Sequence, residues 1–479
     1  MLRRTKIVAT LGPASDTQKA LEALITAGVD VVRMNFSHGK AEDHMSRANR
    51  VRAAALACGR TVGILADLQG PKIRVSKFEN DKIVLNPGDT FILDAEWKAL
   101  GNQERVGLDY KELPKDVSSG TVLLLNDGML EFHVTDVKGS QIICRVVRGG
   151  VLSNNKGINR KGGGLTAPAL TDKDKEDIKT AALIKADYLA VSFPRSAADM
   201  KLARELMHAA GGKSLLMAKI ERAEAIPALG EIIDASDAIM VARGDLSVEV
   251  GDAAVPGLQK RMIKMARARN KLVITATQMM ESMISNPIPT RAEVSDVANA
   301  VLDGTDAVML SAETAVGEYP VETIQAMVRI CIQAEKEIEE GDKDKRLTHS
   351  KFSRIDQSIA MAALFAASHF KVKAIVALTQ SGSTALWMSR MNAGVPIFAL
   401  TPIESTLGKV TLFSGVHPIA FAIESKFPSV VLRAAEDELI RLGQVHEGDL
   451  IVMTIGEAIG KAGHTNTLKI VRVGDHRND

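Results

Sequence analysis

Eight short apolar segments, separated by stretches with helical patterning, constrain the fold of this chain more than any other feature. They are Lys6 to Leu11, Val31 to Phe36, Val62 to Leu68, Tyr188 to Phe193, Leu215 to Ile220, Ala238 to Ala242, Leu272 to Thr277 and Ala307 to Ala312. Apolar runs of this length between helical segments are typical of repeated βα units. Eight such units predict a (β/α)8 TIM barrel, whose functional residues lie at the C-terminal ends of the strands.

Polar residues follow most of these predicted strands directly. They are Arg33, Asn35 and Ser37; Asp67; Ser192; Lys219 and Glu221; Arg243 and Asp245; Thr277; and Ser311 and Glu313. The general polarity of loops would explain one or two of these positions, but not a pattern repeated along the chain. We therefore expect a functional site at this end of the barrel.

The fifth and sixth predicted strands carry the densest charge. Lys219 and Glu221 share one strand face, and Arg243 and Asp245 share a face on the next strand, because alternate side chains point the same way. Two carboxylates so placed suit a hard divalent cation, and the lysine suits a phosphoryl group or oxyanion. A salt-bridge cluster that closes the strand ends explains the same residues equally well.

Overall composition favours small-molecule partners. The chain has 60 basic and 58 acidic residues, a formal charge of +2, which gives no reason to expect nucleic acid or membrane as a partner. Its three cysteines lack metal-ligand or disulfide spacing, which fits a reducing compartment. The N-terminal apolar run, Ile7 to Leu11, is too short for a signal peptide or membrane span. A cytoplasmic location is therefore expected.

The interval between the third and fourth barrel strands is too long for a βα loop. It contains short alternating segments with intervening turn signals: Lys82 to Leu85, Thr90 to Leu93, Val122 to Leu125, Leu130 to Val134 and Ile142 to Val146. This pattern predicts an inserted β-barrel-like domain over residues 71–168. Because it leaves and rejoins at the catalytic end, it can act as a lid that excludes water. The glycines at 162–164 are a hinge or simply a flexible connection.

A second α/β pattern follows the barrel. The charged stretch from Glu335 to Arg346 predicts a solvated linker, and a three-layer α/β domain is expected beyond it. Its expected elements are a helix from Ile355 to Phe370 and strands at Ala374 to Thr379, Ile397 to Leu400, Leu450 to Ile455 and Leu468 to Val473. The resulting division is a barrel over 1–70 and 169–345, the insertion over 71–168, and a C-terminal domain over 346–479.

One loop of the C-terminal domain has the chemistry of an anion site. It contains Thr379, Ser381, Gly382, Ser383 and Thr384, between a strand and a helix. Hydroxyls and free backbone N–H groups at a helix N-terminus can hold the phosphate of a regulatory metabolite. A well-capped helix start has the same composition.

Along nearly its whole length the chain resembles the pyruvate kinases. The motifs that carry the resemblance include Leu11-Gly12-Pro13-Ala14-Ser15, Val32-Arg33-Met34-Asn35-Phe36-Ser37-His38-Gly39, Asp67-Leu68-Gln69-Gly70-Pro71-Lys72-Ile73-Arg74, Ala218-Lys219-Ile220-Glu221, Val241-Ala242-Arg243-Gly244-Asp245-Leu246 and Thr275-Ala276-Thr277-Gln278. The resemblance implies a homotetramer with a mobile lid and a regulatory C-terminal domain. It also implies transfer of the phosphoryl group of phosphoenolpyruvate to ADP, giving pyruvate and ATP.

The resemblance implies roles for residues around the transferred group. Glu221 and Asp245 would bind Mg²⁺, with Mn²⁺ as an alternative, and Lys219 would stabilise charge on the phosphoryl group. Arg33 would bind the substrate phosphate, and the backbone around Gly244 would bind the substrate carboxylate.

Further roles follow from the same likeness. Thr277 would belong to the site where the enolate is protonated, through water rather than by its own weakly acidic hydroxyl. Asn35, His38 and Arg74 would contact the nucleotide.

This chain departs from the family pattern at a position linked to K⁺. Members that need K⁺ bind it through residues equivalent to Asn35, Ser37, Asp67 and the backbone of Leu68, and carry Glu where this chain has Lys72. A lysine ammonium can supply the charge that K⁺ would bring. We therefore expect activity without K⁺, although its oxygen ligands are all present.

Two serines mark smaller departures. Ser247 stands where the family usually has glycine, and it would be strained if that position needs a positive φ. The loop from Thr379 to Thr384 resembles the loop that binds the effector phosphate in the family, here called the effector loop. Ser383 replaces an arginine often found there, and this loss of positive charge disfavours a bisphosphate. A sugar monophosphate, AMP or fructose 1,6-bisphosphate would each present a phosphate there.

Two alternative functions use the same residues. A lyase or aldolase would employ Lys219 as a Schiff-base nucleophile. A non-catalytic metabolite sensor would keep the fold without the chemistry.

Overall fold

The computed structural model describes residues 2–341, 352–391 and 394–475. The first segment of the chain alternates strands and helices. It comprises β1 (Lys6–Thr10), α1 (Gln18–Ala27), β2 (Val31–Asn35), α2 (Ala41–Ala57) and β3 (Gly63–Asp67). α1 shows why the alternation is encoded locally: the Thr17 hydroxyl accepts a hydrogen bond from the Ala20 N–H at its start, and Gly28, with φ 128°, ends it.

An inserted β domain follows β3. Its elements are β4 (Lys82–Leu85), β5 (Thr90–Asp94), β6 (Arg105–Gly107), α3 (Leu113–Asp116), β7 (Val122–Leu125), β8 (Leu130–Lys138), β9 (Gln141–Arg148), β10 (Gly150–Ser153) and β11 (Ile158–Arg160). They form a six-stranded sheet in the order β11-β7-β8-β9-β5-β6 and a β10-β4 pair. The sequence patterns missed β6, β10 and β11. β6 and β11 have only three residues each, too few to show a periodicity, and β10 has only two apolar residues, Val151 and Leu152.

The chain then returns to the barrel. The elements are α4 (Asp172–Leu183), β12 (Tyr188–Val191), α5 (Ala197–Ala209), β13 (Leu215–Ile220), α6 (Leu229–Ala235), β14 (Ala238–Ala242), α7 (Arg243–Val250), α8 (Val255–Ala268), β15 (Leu272–Ala276), α9 (Arg291–Asp303), β16 (Ala307–Leu310), α10 (Ala312–Ala315) and α11 (Pro320–Gly341). Short 3-10 helices lie at Pro13–Ser15, Ala223–Ala225, Asp252–Ala254 and Glu281–Ile284.

Eight strands close into a parallel barrel in the order β1-β16-β15-β14-β13-β12-β3-β2. All eight predicted segments are therefore barrel strands, and the predicted TIM-barrel fold is confirmed. The register places Arg33 beside Thr10 and Asn35 beside Asp67. Polar strand ends from neighbouring strands thus meet at one mouth of the barrel.

The insertion lies against the barrel at its return. Gly162 donates its N–H to Glu249 O at 3.1 Å, which places the connection beside α7. Residues 162–164 have φ angles of 80°, 79° and 95°, a region that favours glycine. A hinge at these glycines remains a prediction.

The C-terminal domain is a three-layer α/β unit, as predicted. It contains α12 (Ile355–His369), β17 (Ala374–Leu378), α13 (Ser383–Met391), β18 (Ile397–Thr401), α14 (Glu404–Val410), β19 (Val416–Ala420), α15 (Pro428–Arg441), β20 (Leu450–Ile455) and β21 (Thr467–Arg472). The sheet order is β19-β18-β17-β20-β21. Sequence reasoning missed β19, whose Pro418 disfavours a central strand but is tolerated at this sheet edge.

The prediction of a solvated linker from Glu335 to Arg346 is wrong for the first half of that range. Residues 335–341 belong to α11, and Glu335 is 1% exposed. Its carboxylate accepts hydrogen bonds from the N–H groups of Arg4, at 3.0 Å, and Thr5, at 2.7 Å. The charged neighbours of Glu335 gave no indication that its carboxylate is buried and accepts these hydrogen bonds. Residues 342–346 of the predicted linker lie outside the described ranges.

The N-terminal end of the barrel packs against the C-terminal domain. The Tyr188 hydroxyl donates to Lys409 O, and the Lys6 amine donates to Val416 O at 2.5 Å. The apolar barrel interior continues into the core beneath β17. This leaves the opposite mouth of the barrel open for a site. Within residues 2–341, 352–391 and 394–475, no helix has the length and apolar character needed to cross a membrane.

Candidate active site

Lys219, in β13, lies between two buried carboxylates at the open mouth of the barrel. Its Nζ is 2.9 Å from Glu221 Oε1 and 3.3 Å from Asp67 Oδ1. It also donates to Ser192 Oγ at 2.8 Å. Arg33 donates to the other oxygen of Asp67 at 2.6 Å. The ends of β2, β3 and β13 therefore bring two cations and two carboxylates into one cluster.

Burial and charge act in opposite directions in this cluster. Burial would lower the pKa of the Lys219 amine, but Asp67 and Glu221 raise it above its ordinary value. Burial would raise the pKa of Asp67, yet Lys219 and Arg33 hold it below its usual range. Lys219 is thus held as the ammonium ion. A Schiff-base nucleophile needs the free amine, so this environment disfavours the lyase chemistry.

Glu221 has the opposite balance. Burial raises the pKa of this carboxyl, and repulsion from Asp245 and Asp67 adds to that, outweighing Lys219. Its second oxygen, Oε2, accepts a hydrogen bond from the Phe193 N–H at 3.0 Å. An added cation between Glu221 and Asp245 would relieve their repulsion.

Asp245 reaches this cluster from a helix. β14 ends at Ala242, so Arg243 and Asp245 lie in the first turn of α7, and the expectation that they share a strand face is wrong. Asp245 Oδ1 is 3.1 Å from Lys72 Nζ, whose other carboxylate neighbour is Asp127 at 4.0 Å.

The donor set of Glu221 and Asp245 fits a hard divalent cation. Both supply carboxylate oxygens, the donors that Mg²⁺ and Mn²⁺ prefer. No group of three or more His, Cys, Asp or Glu residues suited to a metal occurs in the part of the chain that the structure describes. Two carboxylates would therefore leave the remaining positions to substrate oxygens and water, an arrangement usual for Mg²⁺.

The turn after β15 is strained. Thr277 and Gln278 have φ angles of 66° and 54°, and a β-branched residue rarely adopts this region. Arg243, only 8% exposed, donates to Thr277 O at 2.7 Å and to Gln278 O at 3.1 Å. It also pairs with Asp296 at 2.7 Å. Thr277 Oγ1 accepts the Gly244 N–H at 2.8 Å, which ties the turn to α7.

Sequence reasoning missed this role of Arg243. Its charge after a buried strand marked it as a site residue, but its side chain points toward the turn after β15 rather than toward Glu221 and Asp245. Only the helical start of α7 decides that direction. A similar strain marks the end of β12, where Phe193 has φ 56° and its N–H holds Glu221.

A cleft of about 650 Å³ adjoins the cluster and is lined by Arg33, Asn35 and His38. The structure thus brings Arg33, which is expected to bind the substrate phosphate, beside Asn35 and His38. These are two of the three residues expected to contact the nucleotide. Arg74 does not line this cleft. It lies in the inserted domain, where its N–H donates to Asp109 Oδ1 at 2.8 Å.

The residues expected to form a K⁺ site have partners within the chain. The set is Asn35, Ser37, Asp67 and Leu68. Asn35 Oδ1 accepts the Ser37 N–H at 3.0 Å, and Leu68 O accepts the Ser192 hydroxyl at 2.7 Å. The Asp67 carboxylate is shared by two cations, as described above. Ser192, to which the sequence assigned no role, therefore links this set to Lys219.

Glu313 and Ser247 each hold local structure at the barrel mouth. Glu313, 2% exposed, accepts hydrogen bonds from the N–H groups of Ser311, at 2.7 Å, and Met280, at 3.1 Å. It ties the turns after β15 and β16 together. Ser247 lies within α7 with no positive φ and donates to Gly244 O at 2.8 Å, so the strain considered for it is absent.

The expected effector loop lies at the start of α13. Its members are Thr379, Ser381, Gly382, Ser383 and Thr384. Gly382, with φ 83°, donates its N–H to the Thr379 hydroxyl at 2.9 Å. Thr384 is 1% exposed and its hydroxyl meets that of Thr465 at 2.8 Å. The adjoining cavity, also lined by Lys461, has a volume of about 30 Å³, which is room for about one water molecule.

The fold and the site together define a class of enzyme. A TIM barrel whose mouth holds a protonated lysine, an arginine and two carboxylates suited to Mg²⁺ is equipped for phosphoryl transfer, which depends on charge neutralisation and positioning. The protein is therefore a phosphotransferase.

Comparison with known proteins gives the family. The family model for the pyruvate kinase barrel domain matches residues 2–324, and that for the pyruvate kinase alpha/beta domain matches residues 357–471. Pyruvate kinase II of Salmonella typhimurium is 54% identical over 478 residues, which cover 98% of this chain and 99% of the relative. The pyruvate kinase of Haemophilus influenzae is 55% identical over 460 residues, 95% and 96% of the two chains. That of Mycobacterium tuberculosis is 43% identical over 477 residues, 99% of each.

The chain belongs to the pyruvate kinase family and has pyruvate kinase activity, a step of glycolysis. Phosphoenolpyruvate and ADP are the substrates that this activity implies, and the family generally uses Mg²⁺. These matches favour the kinase over the lyase and the sensor.

Proposed function

We propose that Lys219 and Arg33 carry the charge neutralisation of this kinase. The observation that supports the proposal is the position of the Lys219 ammonium, within 3.3 Å of two buried carboxylates at the barrel mouth. Lys219 faces the phosphoryl group as it moves from the enol oxygen of phosphoenolpyruvate to the terminal phosphate of ADP. Arg33, held by Asp67, binds the oxygens of that group before transfer.

Glu221 and Asp245 are the proposed protein ligands of Mg²⁺. The bound cation would neutralise negative charge on phosphoryl and substrate oxygens. Glu221 is held in place by the Phe193 N–H and Asp245 by the start of α7. The first turn of α7, at Gly244, receives the substrate carboxylate, because N–H groups there lack partners within the helix, and the carboxylate would replace Thr277 Oγ1 as the acceptor of the Gly244 N–H.

Thr277 is the proposed centre for protonation of the enolate. Its hydroxyl donates to Ala276 O at 2.7 Å and accepts from Gly244, so its own proton is engaged. It orients a water molecule that delivers the proton, which converts the enolate into pyruvate.

The nucleotide is proposed to bind beside Asn35 and His38. Both residues line the cleft next to Arg33. Arg74 belongs to the inserted domain, and closure of that domain would carry it to the nucleotide.

Manganese binding tests the metal site without relying on turnover. Mn²⁺ is titrated into the full-length protein and free Mn²⁺ is followed by electron paramagnetic resonance. We expect Glu221→Gln and Asp245→Asn each to weaken binding at least tenfold. Glu249→Gln is the control, because Glu249 lies on α7 but its pKa, raised to about 7 by burial, leaves it partly neutral. Unchanged Mn²⁺ affinity in both site variants would refute the ligand assignment.

We propose that Lys72 removes the need for K⁺. Its ammonium lies 3.1 Å from Asp245 Oδ1, and it places a positive charge at one of the two proposed metal carboxylates. Initial rates are measured with tetramethylammonium and then with added KCl at constant ionic strength. Lys72→Glu should be active only with K⁺, whereas Lys72→Arg should resemble the original protein. An original protein that is inactive without K⁺ would overturn this proposal while leaving the kinase activity intact.

Regulation and assembly are proposed from the resemblance. A phosphorylated metabolite would bind the loop of residues 379–384, after the loop opens, and the protein would be a cytoplasmic homotetramer. A metabolite panel tests the effector, and light scattering tests the tetramer. Limited proteolysis tests the proposed domain limits, 1–70 with 169–345, 71–168 and 346–479.

A further inference from the structure

A second large cleft lies at the other end of the barrel, far from the phosphoryl-transfer residues. Its volume is about 650 Å³. Its walls come from α2, from the loops that precede β12 and β13, and from residues 402–409 of the C-terminal domain. The cleft therefore contacts both domains at once.

The cleft is positively charged. Five basic residues line it against two acidic ones, Asp187 and Glu404. Arg52 donates to Ile184 O at 2.5 Å. Lys213 and Lys409 line it without a direct salt bridge in the described part of the chain. Burial lowers the pKa of the Lys409 amine, and repulsion from Lys213 adds to this against the attraction of Asp187 and Asp237. Cations that repel each other around a cavity favour an anionic occupant.

Asp187 offsets this charge only in part at neutral pH. Burial raises the pKa of its carboxyl to about 7, even though Arg52 and Lys409 act against the shift. One oxygen accepts the Ile64 N–H at 2.8 Å, which fixes the group in the wall of the cleft.

The same cleft has an apolar side. Leu56 is 82% exposed and Ile403 is 40% exposed, and both line the cavity beside Ala55 and Leu407. Exposed apolar side chains and cations in the lining of one cavity suit a ligand that has an apolar body and a charged end.

The walls are held firmly together. A Cβ placed on Gly408 would lie 1.9 Å from Asp187 Oδ1, so α14 packs directly on the barrel here. The Tyr188 hydroxyl donates to Lys409 O beside this contact. A preformed cavity binds with little loss of conformational freedom.

We propose that this cleft binds a small organic anion, one that has an apolar body and a single phosphate or carboxylate group. The charged end would lie between Lys213 and Lys409, with the apolar body against Leu56 and Ile403. The cleft is separate from the transfer residues and from the loop of residues 379–384.

Calorimetry on the full-length protein tests the proposal with hexyl phosphate, hexanoate, hexanol and inorganic phosphate as probes. Hexyl phosphate or hexanoate, whichever head group the site prefers, should bind at least tenfold more tightly than hexanol. Comparing the two anions distinguishes a phosphate from a carboxylate site. Inorganic phosphate, which lacks the apolar body, should bind more weakly than the preferred probe.

Variants locate the binding. Lys213→Gln and Lys409→Gln should each weaken the preferred probe about tenfold, the usual effect of losing one charge-assisted hydrogen bond. Lys201→Gln, at an exposed position of the nearby α5, should leave binding unchanged. Leu56→Gln should weaken binding, and Ile288→Gln, at a residue 73% exposed elsewhere, should not. No binding of either anion, equal binding of hexanol, or unchanged affinity in both lysine variants would overturn the proposal.

Discussion

Replacing Arg243 with lysine tests whether the strained turn after β15 is needed for catalysis. Arg243 makes three hydrogen bonds to the turn, two to Thr277 O at 3.2 and 2.7 Å and one to Gln278 O at 3.1 Å. Lysine keeps the charge, and its ammonium replaces the planar fork of the guanidinium. In Arg243→Lys, we expect at least one of the carbonyl groups of Thr277 and Gln278 to lose its hydrogen bond from a charged donor.

The size of the effect follows from the energies involved. A residue held at positive φ costs about 1–3 kcal/mol, and a hydrogen bond to a charged group contributes about 1.5–3 kcal/mol. Losing one such bond therefore removes a stabilisation about as large as the free-energy cost of the positive φ at Thr277. Since 1.4 kcal/mol is tenfold, the population of the strained turn should fall about 10- to 100-fold relative to a relaxed one. The kcat should fall by a similar factor.

Steady-state kinetics and proton exchange separate a positioning role from general destabilisation. Arg243→Lys should lower kcat with a smaller change in KM for phosphoenolpyruvate. It should also slow deuterium exchange into the methyl group of pyruvate, which reports the protonation step in reverse. Arg204→Lys is the matched control, because Arg204 also makes one ion pair, with Asp237, and one carbonyl bond, to Ala235, both at 3.0 Å. An unchanged exchange rate in Arg243→Lys, or an equal loss in Arg204→Lys, would refute the reasoning.

Three further predictions concern charge and packing. Lys219→Met should lower kcat by at least about 10²–10³, as expected for a group that stabilises transition-state charge; steady-state rates near those of the original protein would contradict the assignment. The pKa of Asp187 is about 7, above its ordinary 3.8, so the folded state holds an extra proton between these values and stability falls as pH rises through them. Asp187→Asn should therefore raise the melting temperature more at pH 8 than at pH 5, and an equal shift at both would count against it. Gly408→Ala should lower the free energy of unfolding by about 1–3 kcal/mol, because the new Cβ clashes with Asp187. Gly257→Ala is the control: Gly257 lies on α8, a Cβ there meets no atom within 4 Å, and the change should be neutral or stabilising. Similar melting temperatures for the two variants would show that the clash is relieved.

Local patterns predicted the elements whose signals are local. The eight barrel strands were recognised because buried parallel strands are short continuous apolar runs between helices. The edge strand β19 was missed because Pro418 disfavours a strand wherever its position in the sheet is unknown. Glu335 was assigned to a solvated linker because its neighbours are charged, and nothing nearby in sequence indicates the N–H groups of Arg4 and Thr5 that it accepts.

The candidate site divides in the same way. The sequence by itself determined that Lys219, Glu221, Asp67 and Arg33 would gather at one end of a barrel, because strand order and side-chain alternation are readable along the chain. Tertiary structure alone decided that Lys219 is shared by two carboxylates.

Only the fold, likewise, directed Arg243 to the turn after β15 and assembled the basic cleft around Lys213 and Lys409. These outcomes depend on where helices begin and on which domains meet. Arg243 and Thr277 are 34 positions apart, and Tyr188 and Lys409, which join the walls of the cleft, are 221 apart. No local pattern encodes contacts over such separations.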